Sequence, residues 1–297
     1  MGKLPVKINT TAGIKFPIHF LLGFSRSGTS LVMTYLRGHS SIETGYEEPN
    51  HLYRLMTSVK WEDDYASELG IEKEELQNML ASSISLFTQH FYKELCKKTN
   101  KKLAVLKHPW LNPHAPKLAQ IFPEAKFIIL LRHPYDVIAS CIDFRTYDAS
   151  ASSMFPANLN KLIHLYLKHM KTLLNFQRVC GKDRILFVRF EDFLKSPRTF
   201  LQEIFTFLGV KSQDSFTTQL IHQAKNDLLP LVGRVLITSN IVQPEKKFFN
   251  LTNAEKQKIR GTLKPFLPTL GYDDYQNVKL TVKPAKIPKK LKEGNDV

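Results

Sequence analysis

Four places in the chain gather side chains that could hold or move an anionic group. The first is Ser25-Arg26-Ser27-Gly28-Thr29-Ser30, which offers a cation, a glycine and two hydroxyls, Thr29 and Ser30, at the start of an amphipathic run. The second is the acid pair Glu47-Glu48, followed by Pro49. The third is Lys107-His108, and the fourth is Arg132. No close pair of metal-ligand type accompanies them, since Cys96, Cys141 and Cys180 are far apart in the chain. The chemistry these residues suggest is recognition of phosphate by backbone and cations, with a carboxylate or imidazole at hand to take a proton.

The elements that must position them follow from the pattern. The apolar run Ile18 to Leu22 ends at Gly23, a polar turn follows, and the amphipathic stretch runs from Thr29 to Gly38. This reads as strand, loop and helix. Such a loop aims backbone N–H groups at one spot, and the helix dipole adds partial positive charge there. Gly23 and Gly28 have the spacing of the nucleoside-triphosphate loop G-x-x-x-x-G-K-[ST], but Thr29 occupies the lysine slot. That argues against ordinary ATP or GTP hydrolysis, and Arg26 supplies the cation instead. The plainer alternative is a turn with a solvated arginine.

Glu47 and Glu48 before Pro49 suit a helix start, where acids complement the dipole. Alternatively one of them is a general base beside the cradle. Leu103–Leu106 is a short buried strand ending at Lys107-His108, and polar residues at the carboxyl end of a parallel strand lie where α/β sheets bind ligands. His108 is a rival base or a structural hydrogen-bonder. Lys126–Leu131 reads as a central parallel strand buried on both faces. Arg132 follows it, then Pro134 opens a helix to about Phe144. Residues 158–180 form one long helix, and Arg184–Phe190 another central strand. Glu191 is expected to cap a turn, Gly209 to end a helix, and Thr252 or Asn253 to start the last one. In 61–99, Leu69, Leu76, Leu80, Ile84, Leu86, Phe91 and Leu95 are expected to be buried. Alternating strands and helices in this order imply one α/β domain with a parallel sheet.

Ser-Arg-Ser-Gly-Thr-Ser-Leu resembles the loop with which the PAPS-dependent sulfotransferases hold the 5′ end of 3′-phosphoadenylyl sulfate. Ser25 stands where those loops commonly carry proline. Leu-Leu-Arg-His-Pro-Tyr-Asp-Val-Ile-Ala-Ser resembles the family's 3′-phosphate motif, an arginine followed eight residues on by a serine, here Arg132 and Ser140. His133 replaces the usual aspartate. The resemblance covers roughly residues 18–272, and the layout is similar to tyrosylprotein, Golgi-type and bacterial members. It implies a P-loop-like α/β domain, a central parallel β-sheet flanked by helices, over residues 16–275. An arm, 1–15, precedes it and a basic tail, 276–297, follows.

The same resemblance implies in-line transfer of a sulfuryl group from PAPS to an acceptor hydroxyl, less readily an amine, with PAP as product and no metal. Arg26, Ser27, Gly28, Thr29 and Ser30 would hold the 5′ end, and Arg132 and Ser140 the 3′-phosphate. Lys107 and Arg26 would stabilise charge on the moving group and the leaving phosphate. Matching Arg26 and His39 to the tyrosylprotein pattern puts the catalytic carboxylate at Glu47. The Glu-Pro of other Golgi-type members favours Glu48, and His108 sits one residue nearer its lysine than the cytosolic enzymes' histidine. Arg234, in a late loop, is a candidate contact. The rivals are a kinase-like phosphotransferase, an inactive PAP-binding interaction protein, and a nucleic-acid binder. The net charge of +15 attracts anions generally. Part of it lies in the lysine-rich segment 279–292, read as a solvated tail, and no zinc-finger spacing or RRM-like motif supports nucleic acid. With no apolar run near ~18 residues, no signal-peptide core and few cysteines, a soluble, cytoplasmic protein is expected. The Golgi lumen is the alternative if a membrane stem is missing from this chain. Nothing in 61–99 or 145–157 identifies the acceptor.

Overall fold

The computed structural model describes residues 15–45, 48–58, 65–147, 151–211, 237–238, 241–242 and 247–274. Five strands form one parallel sheet: β1 (Ile18–Leu22), β2 (Ile42–Glu43), β3 (Leu103–Lys107), β4 (Phe127–Leu131) and β5 (Ile185–Arg189). Their spatial order is β2-β3-β1-β4-β5, every neighbouring pair parallel. A separate two-residue pair, Ile237–Thr238 with Ile241–Val242, is antiparallel.

Alternation along each strand loads both faces of the sheet. Phe20, Leu22, Ala104, Leu106, Phe127 and Ile129 point to one core, and Leu21, Leu103, Val105, Ile128 and Leu130 to the other. Buried on both faces, such strands read as continuous apolar runs. Each fully buried Leu, Ile or Phe contributes about 1.5–3 kcal/mol.

The first core is closed by α4 (Lys73–Thr99), α5 (Ala115–Ile121), α6 (Pro134–Tyr147), α8 (Leu159–Cys180) and the closing helix Asn253–Leu263. The second is closed by α1 (Thr29–Arg37), α9 (Phe190–Lys195) and α10 (Pro197–Leu208). Short helices α2 (Asn50–Ser58) and α3 (Tyr65–Glu68) lie between β2 and α4, with Leu52 and Met56 of α2 in the first core, and α7 (Ala151–Met154) lies between α6 and α8. Among the described residues, no helix is long and apolar enough to cross a membrane.

Most expected boundaries are met. Thr252 accepts from the Glu255 N–H while Glu255 accepts from the Thr252 N–H, a reciprocal cap. Gly209 closes α10 in the left-handed conformation, φ 78°. The reading of 61–99 needs correction. Leu76 and Ile84 are buried, but Leu69, Leu86 and Phe91 are exposed, at 49%, 53% and 44%. With Met79 and Phe87 also exposed, α4 is apolar on its inner and part of its outer side. Periodicity alone could not separate the two.

Candidate functional site

The sheet order puts β1 at the switch point, with β3 on one side and β4 on the other. Ligands of open α/β sheets bind outside the strands' carboxyl ends at such a point. Three strand ends therefore meet there: Gly23 after β1, Lys107 at the end of β3, and Arg132 after β4. Register pairs Leu21 with Lys107 and Leu22 with Ile129.

The 25–30 turn has the geometry of an anion cradle. Arg26 adopts φ 69° and Gly28 φ 94°, both left-handed. Turns that change hand in this way bring successive N–H groups to one side. No side chain caps the start of α1, and its first turn holds no acid. Gly28 is required twice over: its φ is unfavourable for other residues, and a Cβ there would lie 2.2 Å from the Phe190 ring. Ser27 and Thr29 are buried, whereas Ser30 is exposed.

Arg26, Arg132 and Ser140 converge. Arg26 Nε donates to Ser140 Oγ at 3.2 Å, and its guanidinium lies over the Phe144 ring, 4.6 Å from the centroid. Arg132 Nη1 donates to the Arg26 carbonyl at 2.9 Å, and its Cζ lies 5.3 Å from the Phe190 centroid. The buried Nε of Arg132 has no hydrogen-bond partner among the described residues. A buried, unsatisfied cationic donor is costly, and an anion accepting from it removes that cost. His133 takes the role of a helix cap, since its Nδ1 accepts the Tyr135 N–H at 3.3 Å.

On the β3 side, Glu48 does not cap α2. That helix begins at Asn50 with no acid in its first turn. Glu48 Oε1 instead pairs with Lys107 Nζ at 2.5 Å. Its Oε2 lies 3.8 Å from His108 Nε2. His108 is buried; its Nδ1 accepts the Trp110 N–H at 3.2 Å, which places the proton on Nε2, 3.2 Å from Asn50 Oδ1. Tyr53 stacks on the imidazole at 4.5 Å. Burial first, and Lys107 as well, hold the imidazole pKa below its ordinary value, against an opposing pull from Glu48. Glu47 and Arg234 lie outside the described residues.

Two residues not singled out from the sequence support the site. Asn112, fully buried, accepts from the Gly23 N–H at 3.1 Å and donates to the Gly23 carbonyl at 2.9 Å, holding the strand's exit. Behind it sits buried His169, 3.4 Å from Asn112 Nδ2. Phe190 touches both the cradle and Arg132. A polar residue in a Pro-Trp-Leu-Asn-Pro run was the only hint of the first, and nothing marked the second.

The model of the family described as "Sulfotransferase family" matches residues 17–214, about two thirds of the chain. The chain belongs to the sulfotransferase family. A protein-tyrosine sulfotransferase of Drosophila melanogaster is 23% identical over 279 residues, covering 89% of this chain and 53% of that protein. Protein-tyrosine sulfotransferase 1 of Danio rerio is 23% identical over 276 residues, 88% of this chain and 74% of that one. The chain thus spans about half of the first relative and about three quarters of the second. Among solved structures, the sulfotransferase domain from the curacin biosynthetic pathway superposes with a TM-score of 0.54 at 20% identity, covering 88% of this chain and 99% of that one. The sulfotransferase domain of the Synechococcus PCC 7002 olefin synthase gives 0.51 at 24%, covering 88% and 97%. These two likenesses establish the sulfotransferase fold, as the resemblance implied.

Proposed function

We propose that this sulfotransferase moves the sulfuryl group of PAPS to an acceptor hydroxyl by in-line displacement, releasing PAP. The observation that carries the donor reading is the convergence of Arg26, Arg132 and Ser140 beside an uncapped helix start, with the buried Arg132 Nε lacking a partner. Backbone N–H groups of the 25–30 loop, with the Thr29 and Ser30 hydroxyls, hold the 5′ end. Arg132, whose planar fork matches phosphate oxygens, holds the 3′-phosphate with Ser140. The chain's own cations supply the charge stabilisation: Lys107 and Arg26 face the moving group and the leaving phosphate.

Glu48 is the base this geometry supports best among the described residues. It shares the β3 end with Lys107, and its Oε2 is not engaged by that lysine. His108 suits the task less well, because one nitrogen accepts a backbone N–H and the other carries its proton toward Asn50. Glu47 is to be compared in the same assays. Two relatives named protein-tyrosine sulfotransferase make a tyrosine hydroxyl the first acceptor to try. A kinase-like reading is disfavoured by Thr29 in the lysine slot.

Calorimetric titration with PAP, without magnesium, on wild type and Arg132→Ala tests the donor reading. Binding by wild type that weakens about 10-fold to 100-fold in the variant is expected for loss of a charged hydrogen-bonding partner. A folded wild-type protein that does not bind PAP overturns it.

A further inference from the structure

The first turn of α9 reaches both halves of the proposed donor site. The Phe190 ring fills the space beside Gly28, and the same ring lies under the Arg132 guanidinium. The next residue, Glu191, accepts the His133 N–H on Oε1 at 2.8 Å and the Tyr272 hydroxyl on Oε2 at 2.7 Å. Tyr272 belongs to residues 271–274, and that segment is fastened along its length. Arg189 Nη1 donates to the Gly271 carbonyl at 2.8 Å. His133 Nε2 donates to the Asp273 carbonyl at 3.1 Å, and Tyr135 donates to Asp274 at 3.2 Å. The Tyr272 ring meets His133 edge-on at 5.2 Å. Burial, reinforced by the Glu191 charge, pushes the Tyr272 hydroxyl far above its ordinary pKa, so it remains a donor.

These contacts bear on one mechanical need. Arg132 lies beyond the end of β4, where sheet hydrogen bonds no longer fix its direction. A nucleotide that bridges the loop and Arg132 is held well only if both are set beforehand, because ordering them on binding costs affinity. We propose that Phe190, Glu191 and Tyr272 are positioning residues that set Arg132 against the 25–30 loop, and so create a preference for nucleotides phosphorylated at both the 5′ and 3′ positions. The proposal rests on the donor reading above. It assigns Glu191 a role beyond the turn cap expected from sequence, because the cap it provides is to the segment carrying the phosphate arginine.

The test compares PAP with adenosine 5′-phosphate, which lacks the 3′-phosphate, in calorimetric titrations of wild type and Tyr272→Phe. Loss of the hydroxyl is expected to weaken PAP about tenfold while leaving adenosine 5′-phosphate within about twofold. Phe190→Leu, which alters the support of both motifs, is expected to weaken both nucleotides, PAP more. If Tyr272→Phe does not fold, Glu191→Gln carries the same comparison, with the same selective loss of PAP expected. Equal weakening of the two nucleotides would mean a merely structural role, and unchanged PAP affinity would mean none; either overturns the proposal. A wild-type protein that binds adenosine 5′-phosphate as tightly as PAP instead defeats the assignment of Arg132, and the positioning role falls with it.

Discussion

The two sides of β1 are built differently. On the β4 side, Arg26, Ser140, Arg132 and Phe190 are tied to one another by hydrogen bonds and ring contacts, and Glu191 ties the neighbouring His133 N–H to Tyr272. On the β3 side, Glu48 and Lys107 form one pair over a buried histidine, and the nearby α4 turns Met79, Leu86, Phe87 and Phe91 to solvent. The first side suits a ligand of fixed shape and charge, whose phosphates can be met by preset donors. The second offers one carboxylate–ammonium pair and an apolar outer helix face. Under the proposed function, backbone geometry and cations would recognise the donor, and a single carboxylate would take the acceptor's proton.

The largest effect expected from breaking this division is on rate. Glu48→Gln should lower kcat by about 10²-fold to 10⁴-fold, the usual contribution of a positioned base, while the PAP affinity changes little. If Glu47→Gln produces that loss and Glu48→Gln does not, the base is reassigned.

Acid should loosen the donor side through His169, which stands behind Asn112 and Gly23. Burial lowers its pKa to about 4, from 6.5. Above pH 6.5 it is neutral in both the folded and unfolded chain, and its contribution is complete. As the pH falls below 6.5 the unfolded chain takes the proton first, so stability declines until about pH 4. By pH 5 the loss is on the order of 2 kcal/mol. Buried His19, also lowered to about 4, acts in the same direction. Urea unfolding at pH 7.5 and 5 should show a smaller difference for His169→Gln than for wild type, and equal differences would contradict the assignment.

Gly28→Ala drives a Cβ into Phe190 and strains a left-handed backbone. Overpacking of this kind costs about 1–3 kcal/mol, to be read as a lower melting temperature together with weaker PAP binding. The smallest effect is expected on the other side. Leu86→Ser, at an exposed position, should change stability by no more than about 0.5 kcal/mol and leave PAP affinity unchanged. A marked loss of stability would show that the α4 surface is covered in the folded protein.

The donor side was the more legible of the two in the sequence. Its residues lie in short local patterns, Ser25 to Ser30 and Arg132 to Ser140, each directly after an apolar strand, so neighbours in sequence are neighbours in space. Thr252 and Gly209 were legible for the same reason, since caps are local. The α4 stripe was not, because a helix in which apolar residues occupy more than one face gives no phase from which to choose the buried one. The contacts of Asn112, Phe190 and Tyr272 were not legible either. Each acts on a partner tens of residues away, and nothing in its own surroundings signals this.

The chain's order of residues by itself determined the parallel α/β sheet, the strand–turn–helix from Ile18 to Arg37 and the helix start after Arg132, because strand burial, glycine conformation and helix starts are decided within a few residues. Only the tertiary structure decided that Glu48 reaches Lys107 rather than capping α2, that His108 spends both nitrogens on structure, that the Phe190 ring lies beside both Gly28 and Arg132, and that Glu191 ties the His133 N–H to Tyr272. Those outcomes depend on which strand ends meet at β1. That is set by the packing of two cores across the whole sheet, a sum over distant contacts that no short stretch of sequence contains.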